Sequence, residues 1–332
     1  MKRSLTALVL LSSAALSARA AADPAALFRK IPAPPKTLAS AGARVRLKAA
    51  PEPRFVAPAY DAAMKAVTEQ AKAKGLASGQ AQADEMGAGI DVARMQSDPA
   101  YAQRVQAKMA SMTMAQKMAM AQRFQEAQSG AGRPLQARIA EGELRQSIAE
   151  LSRGNRETLA RIGTMIRKAE ADEDAAHRAV DARIDAALVK CPDDPNATVI
   201  EMRLPACADP LIRRARAEHT AAAAKALAAA GAVYRRAWAL AKARVDAEAP
   251  LQAKAKSAGD ANDAAQVAGA VDEFSHVLIA FARRATLRAA FWGQPGLFAA
   301  PTSSRVDFWV SAVKGGKDTA KAVAWPPSDP DD

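Results

Sequence analysis

The sequence predicts an all-α protein, an elongated helical bundle built on a long antiparallel helical hairpin with a disulfide at its tip. Three observations carry that expectation. From Ala59 onward Ala, Arg, Lys, Gln, Glu and Met dominate, all good helix formers, while β-branched and aromatic residues are scarce. Apolar residues then recur at steps of three and four over two long stretches, the mark of a helix face. Between those stretches stand the two cysteines of the chain, Cys191 and Cys207.

Residues 1–20 have the layout of a secretory signal. Lys2 and Arg3 form a basic start, Leu5 to Leu16 is largely apolar, and Ala18-Arg19-Ala20 is the small-x-small pattern of a cleavage site. A periplasmic or secreted location follows as the expectation. The apolar run is shorter than the roughly 20 residues a spanning helix needs, and no later segment is long and apolar enough to cross a membrane. Removing residues 1–20 takes away Lys2, Arg3 and Arg19, so the formal charge of +12 becomes 12 − 3 = +9. Such a surface suits an anionic envelope surface as partner; nucleic acid is not expected there.

Residues 21–58 carry Pro24, Pro32, Pro34, Pro35, Pro51, Pro53 and Pro58. Proline at that density forbids a long helix, so this stretch reads as an extended arm that either drapes over the helical body or is disordered. Residues 59–132 read as a helical segment with a Met-rich helix. A first helix is expected from about Ala59 to Lys74, ending at Gly75. Asp98-Pro99 is an N-cap followed by proline at the first helical position, and Thr113 with Gln116 is a capping box.

Residues 133–290 hold the hairpin and a packing helix. A helix over about 135–190 carries the stripe Leu144, Ile148, Leu151, Asn155, Leu159, Ile162, Ile166, Ala169, Val180, Ile184 and Leu188, a coiled-coil-like pattern. Gly142, Gly154 and Gly163 could bend or interrupt it. Cys191 and Pro192 stop it. Asp209-Pro210 starts a return helix with the stripe Leu211, Ala215, His219, Ala222, Ala226, Ala230, Val233, Ala237 and Leu240. One Cys191–Cys207 bridge would stabilise the tip by roughly 3 kcal/mol in the chain-entropy picture. A further helix over about 262–290 buries Val267, Val271, Phe274, Leu278, Phe281 and Ala285 against the hairpin. Residues 291–332 form an aromatic-containing tail with Trp292, Phe298, Phe308, Trp309 and Trp325, and a disordered end is expected there.

Few constellations carry chemistry. His177 lies 14 residues before Cys191 and His219 lies 12 after Cys207, so on the two arms they stand roughly 21 and 18 Å from the tip. Both fall on facing stripes and are expected to meet, with Glu173, Asp181 or Glu218 nearby, either as a metal site for zinc, copper or nickel or as filling of an alanine-rich seam. Met109, Met112, Met114, Met118 and Met120 crowd one helix. Met109, Met112 and Met120 share a stripe with Tyr101 and Val105, a core role, while Met114 and Met118 lie opposite and suit an adaptable face or soft copper. Arg213, Arg214 and Arg216 open the return helix, where an anion or pairing with Asp193, Asp194, Asp209 or Glu218 would hold them. Enzyme signatures are missing: there is no HExxH, GxSxG, GxxxxGK[ST] or Gly-rich dinucleotide turn. Ser311-Ala-Val-Lys314 matches an SxxK pattern but lacks the sheet that chemistry needs.

The expected function is therefore a non-catalytic scaffold, adaptor or chaperone-like module of the cell envelope. It would bind an envelope protein or itself and use no cofactor; metal handling through the Met-rich segment or the His pair is the second reading.

Overall fold

The structure is a computed structural model that describes residues 28–48, 54–85, 89–129, 135–190, 208–257 and 261–293. It is mostly helical, with long helices packed antiparallel. Among the described residues the order is α1 (Leu38–Arg44), β1 (Arg46–Lys48), β2 (Arg54–Val56), α2 (Pro58–Glu85), α3 (Val92–Ser97), α4 (Pro99–Ser111), α5 (Met114–Ser129), α6 (Leu135–Leu188), α7 (Ala208–Ser257) and α8 (Ala261–Gly293). Cys191 and Cys207, between which a bridge was expected, the signal-like residues 1–20 and the tail beyond Gly293 lie outside the described residues. The helices group into two compact units, and α2, α6, α7 and α8 each contribute a segment to both.

One unit holds residues 65–158 and 241–275 together with the chain up to Lys30. Its core is Leu144, Ile148 and Leu151 of α6 against Ala255 of α7 and Val267 of α8, with Leu251 packed on the edge. Asn155 is buried, as its place on the stripe implies, and is held from both sides: its Nδ2 donates to Glu248 Oε1 at 2.7 Å, and Arg244 Nε donates to its Oδ1 at 2.7 Å. Lys74 of α2 pairs with the buried Asp272 of α8 at 3.0 Å. The helix expected to end at Gly75 instead runs to Glu85. Glycine within a helix costs roughly 1 kcal/mol, and tertiary packing outweighs it: a side chain at Gly79 would stand 3.3 Å from Val92 Cγ1, so the missing Cβ lets the incoming α3 approach closely. Gln80 completes the join by donating to Ile90 O and accepting from the Val92 N–H.

The local start signals hold. Asp98 caps α4 by accepting from Tyr101 N, with proline at the first position. Thr113 and Gln116 exchange side-chain and backbone bonds at the head of α5. The methionine stripe is corrected in part: Val105 is buried, but Met109 is 41% exposed. Gly142, Gly154 and Gly163 do not interrupt α6.

The second unit holds residues 31–64, 159–240 and the chain from His276 onward. Residues 31–56, expected as an extended arm, here form α1 and a two-stranded antiparallel ladder that pairs Arg46 with Val56 and Lys48 with Arg54. Phe55 is fully buried and meets the Phe291 ring edge-on at 6.1 Å. Tyr60 donates to Ala33 O at 3.0 Å, and Tyr234 donates to Ile31 O at 3.4 Å. Arg183 of α6 reaches Glu218 of α7 while Asp181 reaches His219, so the two arms run antiparallel here. Glu170 and Glu173 of α6 meet Arg284 and Arg288 of α8 in rising order, which sets α8 parallel to α6. The α8 stripe is buried as expected, and Ile279, Leu287, Phe291 and Trp292 extend burial almost all round it. The stripe of α7 is corrected in part: Ala215, His219, Ala230 and Ala237 are buried as expected, but between and beyond them Ala223, Leu227 and Tyr234 are buried whereas Ala222, Ala226 and Val233 face a groove.

Candidate functional site

The second unit encloses a polar cluster at the junction of α6, α7 and α8. His177 and His219 meet as their distances from the cysteines imply, Nδ1 to Nδ1 at 2.8 Å, and both are essentially shielded from solvent. Their rings lie within 18° of a common plane with centroids 5.1 Å apart. Trp292 of α8 covers both, its rings 4.9 Å from His177 and 4.4 Å from His219 and inclined by 11° and 9°. An edge-to-edge imidazole pair under one indole face is the result.

Each imidazole has a carboxylate beyond its far nitrogen. Asp181 Oδ1 stands 2.9 Å from His219 Nε2. Glu173 Oε1 stands 3.9 Å from His177 Nε2. Glu173 also accepts from Arg288 Nε at 2.8 Å, and the same guanidinium reaches Asp174. Glu218, the third expected neighbour, points the other way and binds Arg183 and Arg214, which hold its carboxyl below the usual range.

Burial sets the titration of the cluster. It lowers His177 to about 3, helped by the positive charges of His219 and Arg288 and opposed by Asp181. Burial likewise pushes Glu173 up to about 7, working against Arg288, which favours the ionised form.

A metal fits this arrangement poorly. Two nitrogens each about 2.0 Å from a tetrahedral zinc stand about 3.3 Å apart, so the 2.8 Å contact is a hydrogen bond in which one Nδ1–H donates to the other nitrogen. Among the described residues no group of three or more His, Cys, Asp or Glu side chains could hold a metal ion. Met114 and Met118 lie in the other unit, 75% and 67% exposed, one turn apart. Arg213, Arg214 and Arg216 are all exposed, and Arg214 bonds Glu218 at 2.7 Å, the pairing expected of that cluster.

Sequence reasoning missed Trp292, Arg288 and the groove. Trp292 was assigned to the tail, yet Phe281, Ala285, Arg288 and Trp292 continue the α8 stripe by steps of four, three and four. The groove runs along the open side of α6 and α7, from Met165 to Arg183 and from Glu218 to Arg236, and has a volume of ≈ 1070 Å³. Ala169, Ala176, Ala222, Ala226, Ala229 and Val233, all small apolar side chains, are among those that line it. On its rim Lys168 pairs with Asp172 and Arg183 with Glu218. Lys225 and Arg236 make no ion pair with the described residues. Compared with known proteins, the chain matches no family model, no curated protein and no solved structure.

Proposed function

We propose that this chain is an exported, non-catalytic helical adaptor of the cell envelope, and that the α6–α7 groove receives an amphipathic helix of a partner protein flanked by acidic residues. The groove is the observation that carries this reading. About 18 residues of each arm border it, roughly 27 Å at 1.5 Å per residue, the length of one ordinary helix. Alanines in its lining admit bulky apolar side chains of an incoming helix, read at i, i+3, i+4 and i+7.

Charge selects the occupant. With the two other rim pairs internally matched, Lys225 and Arg236 are the rim cations left to meet an acidic partner. A second copy is disfavoured, because an isologous pairing would bring four such cations together on a chain whose formal charge without residues 1–20 is 12 − 3 = +9. The Cys191–Cys207 bridge, which closes the end of the same hairpin, and the cleaved residues 1–20 belong to this proposal. Intact mass before and after reduction tests them.

A photo-reactive residue at Ala222 or Ala229, introduced into the full chain in its native cells, provides the test. The expected product is one cross-linked peptide from a single partner, helical and acidic on both flanks, and lost in a K225E/R236E variant. Cross-links to a second copy, to residues 294–332 of the same chain, or to many unrelated proteins overturn the proposal.

A further inference from the structure

We propose that the α6–α7 groove sets the register of its occupant: Lys225 and Arg236 read two acidic residues eleven positions apart on one side of the incoming helix. This inference rests on the groove reading above and adds to it the spacing that a partner must carry.

The row that bears the two cations leads to it. Lys225, Ala229, Ala232 and Arg236 all border the groove, and they follow one another along α7 by steps of four, three and four. Such steps keep them on one side of the helix, and all four are exposed. The two residues between the cations are alanines, so no other long side chain of the row competes for an occupant's acids. Eleven residues turn the helix about 20° past three full turns and advance it about 16–17 Å.

The other charges of the groove are answered within the chain. On the α6 side Lys168 holds Asp172 at 3.1 Å. Arg183 reaches across to Glu218 at 2.8 Å, and Arg214 holds the same carboxylate at 2.7 Å. Glu173, which also lines the groove, accepts from Arg288 of α8 at 2.8 Å. Lys225 and Arg236 make no ion pair with the described residues, so the groove is charged along its α7 side and balanced along its α6 side. An occupant's acids therefore belong on the side that faces α7.

A helix laid along the groove rises by the same 1.5 Å per residue as α7, so cations eleven residues apart are matched by acids eleven residues apart. A tilt of about 20°, common between packed helices, lengthens the required span by only about 1 Å, less than one residue's rise. Seven is the next shorter spacing that returns both acids nearly to the same side. It spans about 10 Å and misses one cation by about 6 Å, beyond the roughly 4 Å of an ion pair. An exposed ion pair adds at most about fivefold to affinity, so a preference of about threefold for eleven over seven is expected.

The test uses the full chain and fluorescein-labelled helical peptides of alanine, leucine and glutamine that carry two glutamates spaced by eleven or by seven. Fluorescence anisotropy measures the dissociation constants. The parent is expected to bind the eleven-spaced peptide about threefold more tightly, and the preference is expected to vanish in about 1 M salt, where charges are screened within about 3 Å. In K225A, with one cation left, the preference is expected to disappear. K225E/R236E is expected to reverse the sign and to favour two lysines spaced by eleven over two spaced by seven. The substituted side chains are exposed, and far-UV circular dichroism checks that each variant keeps its helices. A parent that binds both acidic peptides equally, a preference that persists in K225A, or a reversed variant indifferent to lysine spacing overturns this inference and leaves the groove reading standing. A parent that binds neither peptide overturns both.

Discussion

Met114 and Met118 stand at the first and fifth positions of α5 with three quarters and two thirds of their surface open. Thioethers in that position meet dissolved oxidant directly, whereas Met64 is half-buried with its sulfur 2.9 Å from His276 Nδ1. Dilute hydrogen peroxide is therefore expected to convert Met114 and Met118 to sulfoxides several-fold faster than Met64, each sulfur taking one oxygen and releasing water. Peptide mapping by mass spectrometry after a timed exposure measures the order, and equal rates at the three positions would refute it. The same pair of residues shows what a sequence can say at this scale. A stripe count places two methionines opposite the core side of their helix, but it does not say whether anything covers them.

At the scale of elements, Gly154 and Arg244 form a small device. A Cβ at Gly154 would lie 2.6 Å from the Arg244 guanidinium, so the missing side chain is what allows that group to lie across α6. There it donates to Leu151 O at 2.8 Å and to Asn155 Oδ1. Gly154→Ala gains roughly 1 kcal/mol of helix propensity but displaces charged hydrogen bonds worth roughly 1.5–3 kcal/mol, so a net loss of about 1 kcal/mol is expected. In an Arg244→Leu background the same change is expected to stabilise. Urea unfolding of the four-member cycle decides it, and a stabilising Gly154→Ala in the parent would sink the argument.

Legibility at this scale followed periodicity. The stripes through Ile148, Ile166 and Val180 and through Phe274, Leu278 and Phe281 are buried where their spacing put them, because each faces one wall of packed helix. The α7 face was right at Ala215, His219, Ala230 and Ala237 and one residue off at Ala222, Ala226 and Val233, since its alanines repeat at nearly every position and leave the 3.6-residue period weakly defined. The N-terminal hairpin escaped notice because three-residue strands leave little alternation to detect. The His pair was legible from arithmetic along two rigid helices. Trp292 was not, because a glycine and a proline just after it resemble a helix end reached too early.

For the whole molecule, the buried titratable groups set where the fold is most stable. Burial pushes Glu248 up to about 7, against the Asn155 hydrogen bond and the charges of Lys74 and Arg244, and Glu173 also lies near 7. A carboxyl held above its unfolded value of 4.5 gives stability that is complete below 4.5 and lost as the pH rises through 7. His177 works in the opposite sense: its contribution is complete above 6.5 and lost as the pH falls toward 3. Between 4.5 and 6.5 the two buried carboxyls act against one imidazole, so stability declines as pH rises; below 4.5 the imidazole acts in the same sense as carboxyls such as Glu218 that are held below their usual range, so stability declines as pH falls. The melting temperature is expected to peak near pH 5 and to be lower at pH 8. Glu248→Gln keeps the acceptor for Asn155 while removing the buried charge. With the folded value about 7 − 4.5 = 2.5 pH units above the unfolded one, it is expected to raise stability by up to about 3 kcal/mol at pH 8, a gain of several degrees in melting temperature, and to leave pH 4.5 nearly unchanged. Calorimetry across pH 4.5–8 on both proteins measures this. A parent whose melting temperature climbs from pH 5 to pH 8, or a variant that gains equally at both ends, would show that Glu248 is ionised in the folded protein throughout.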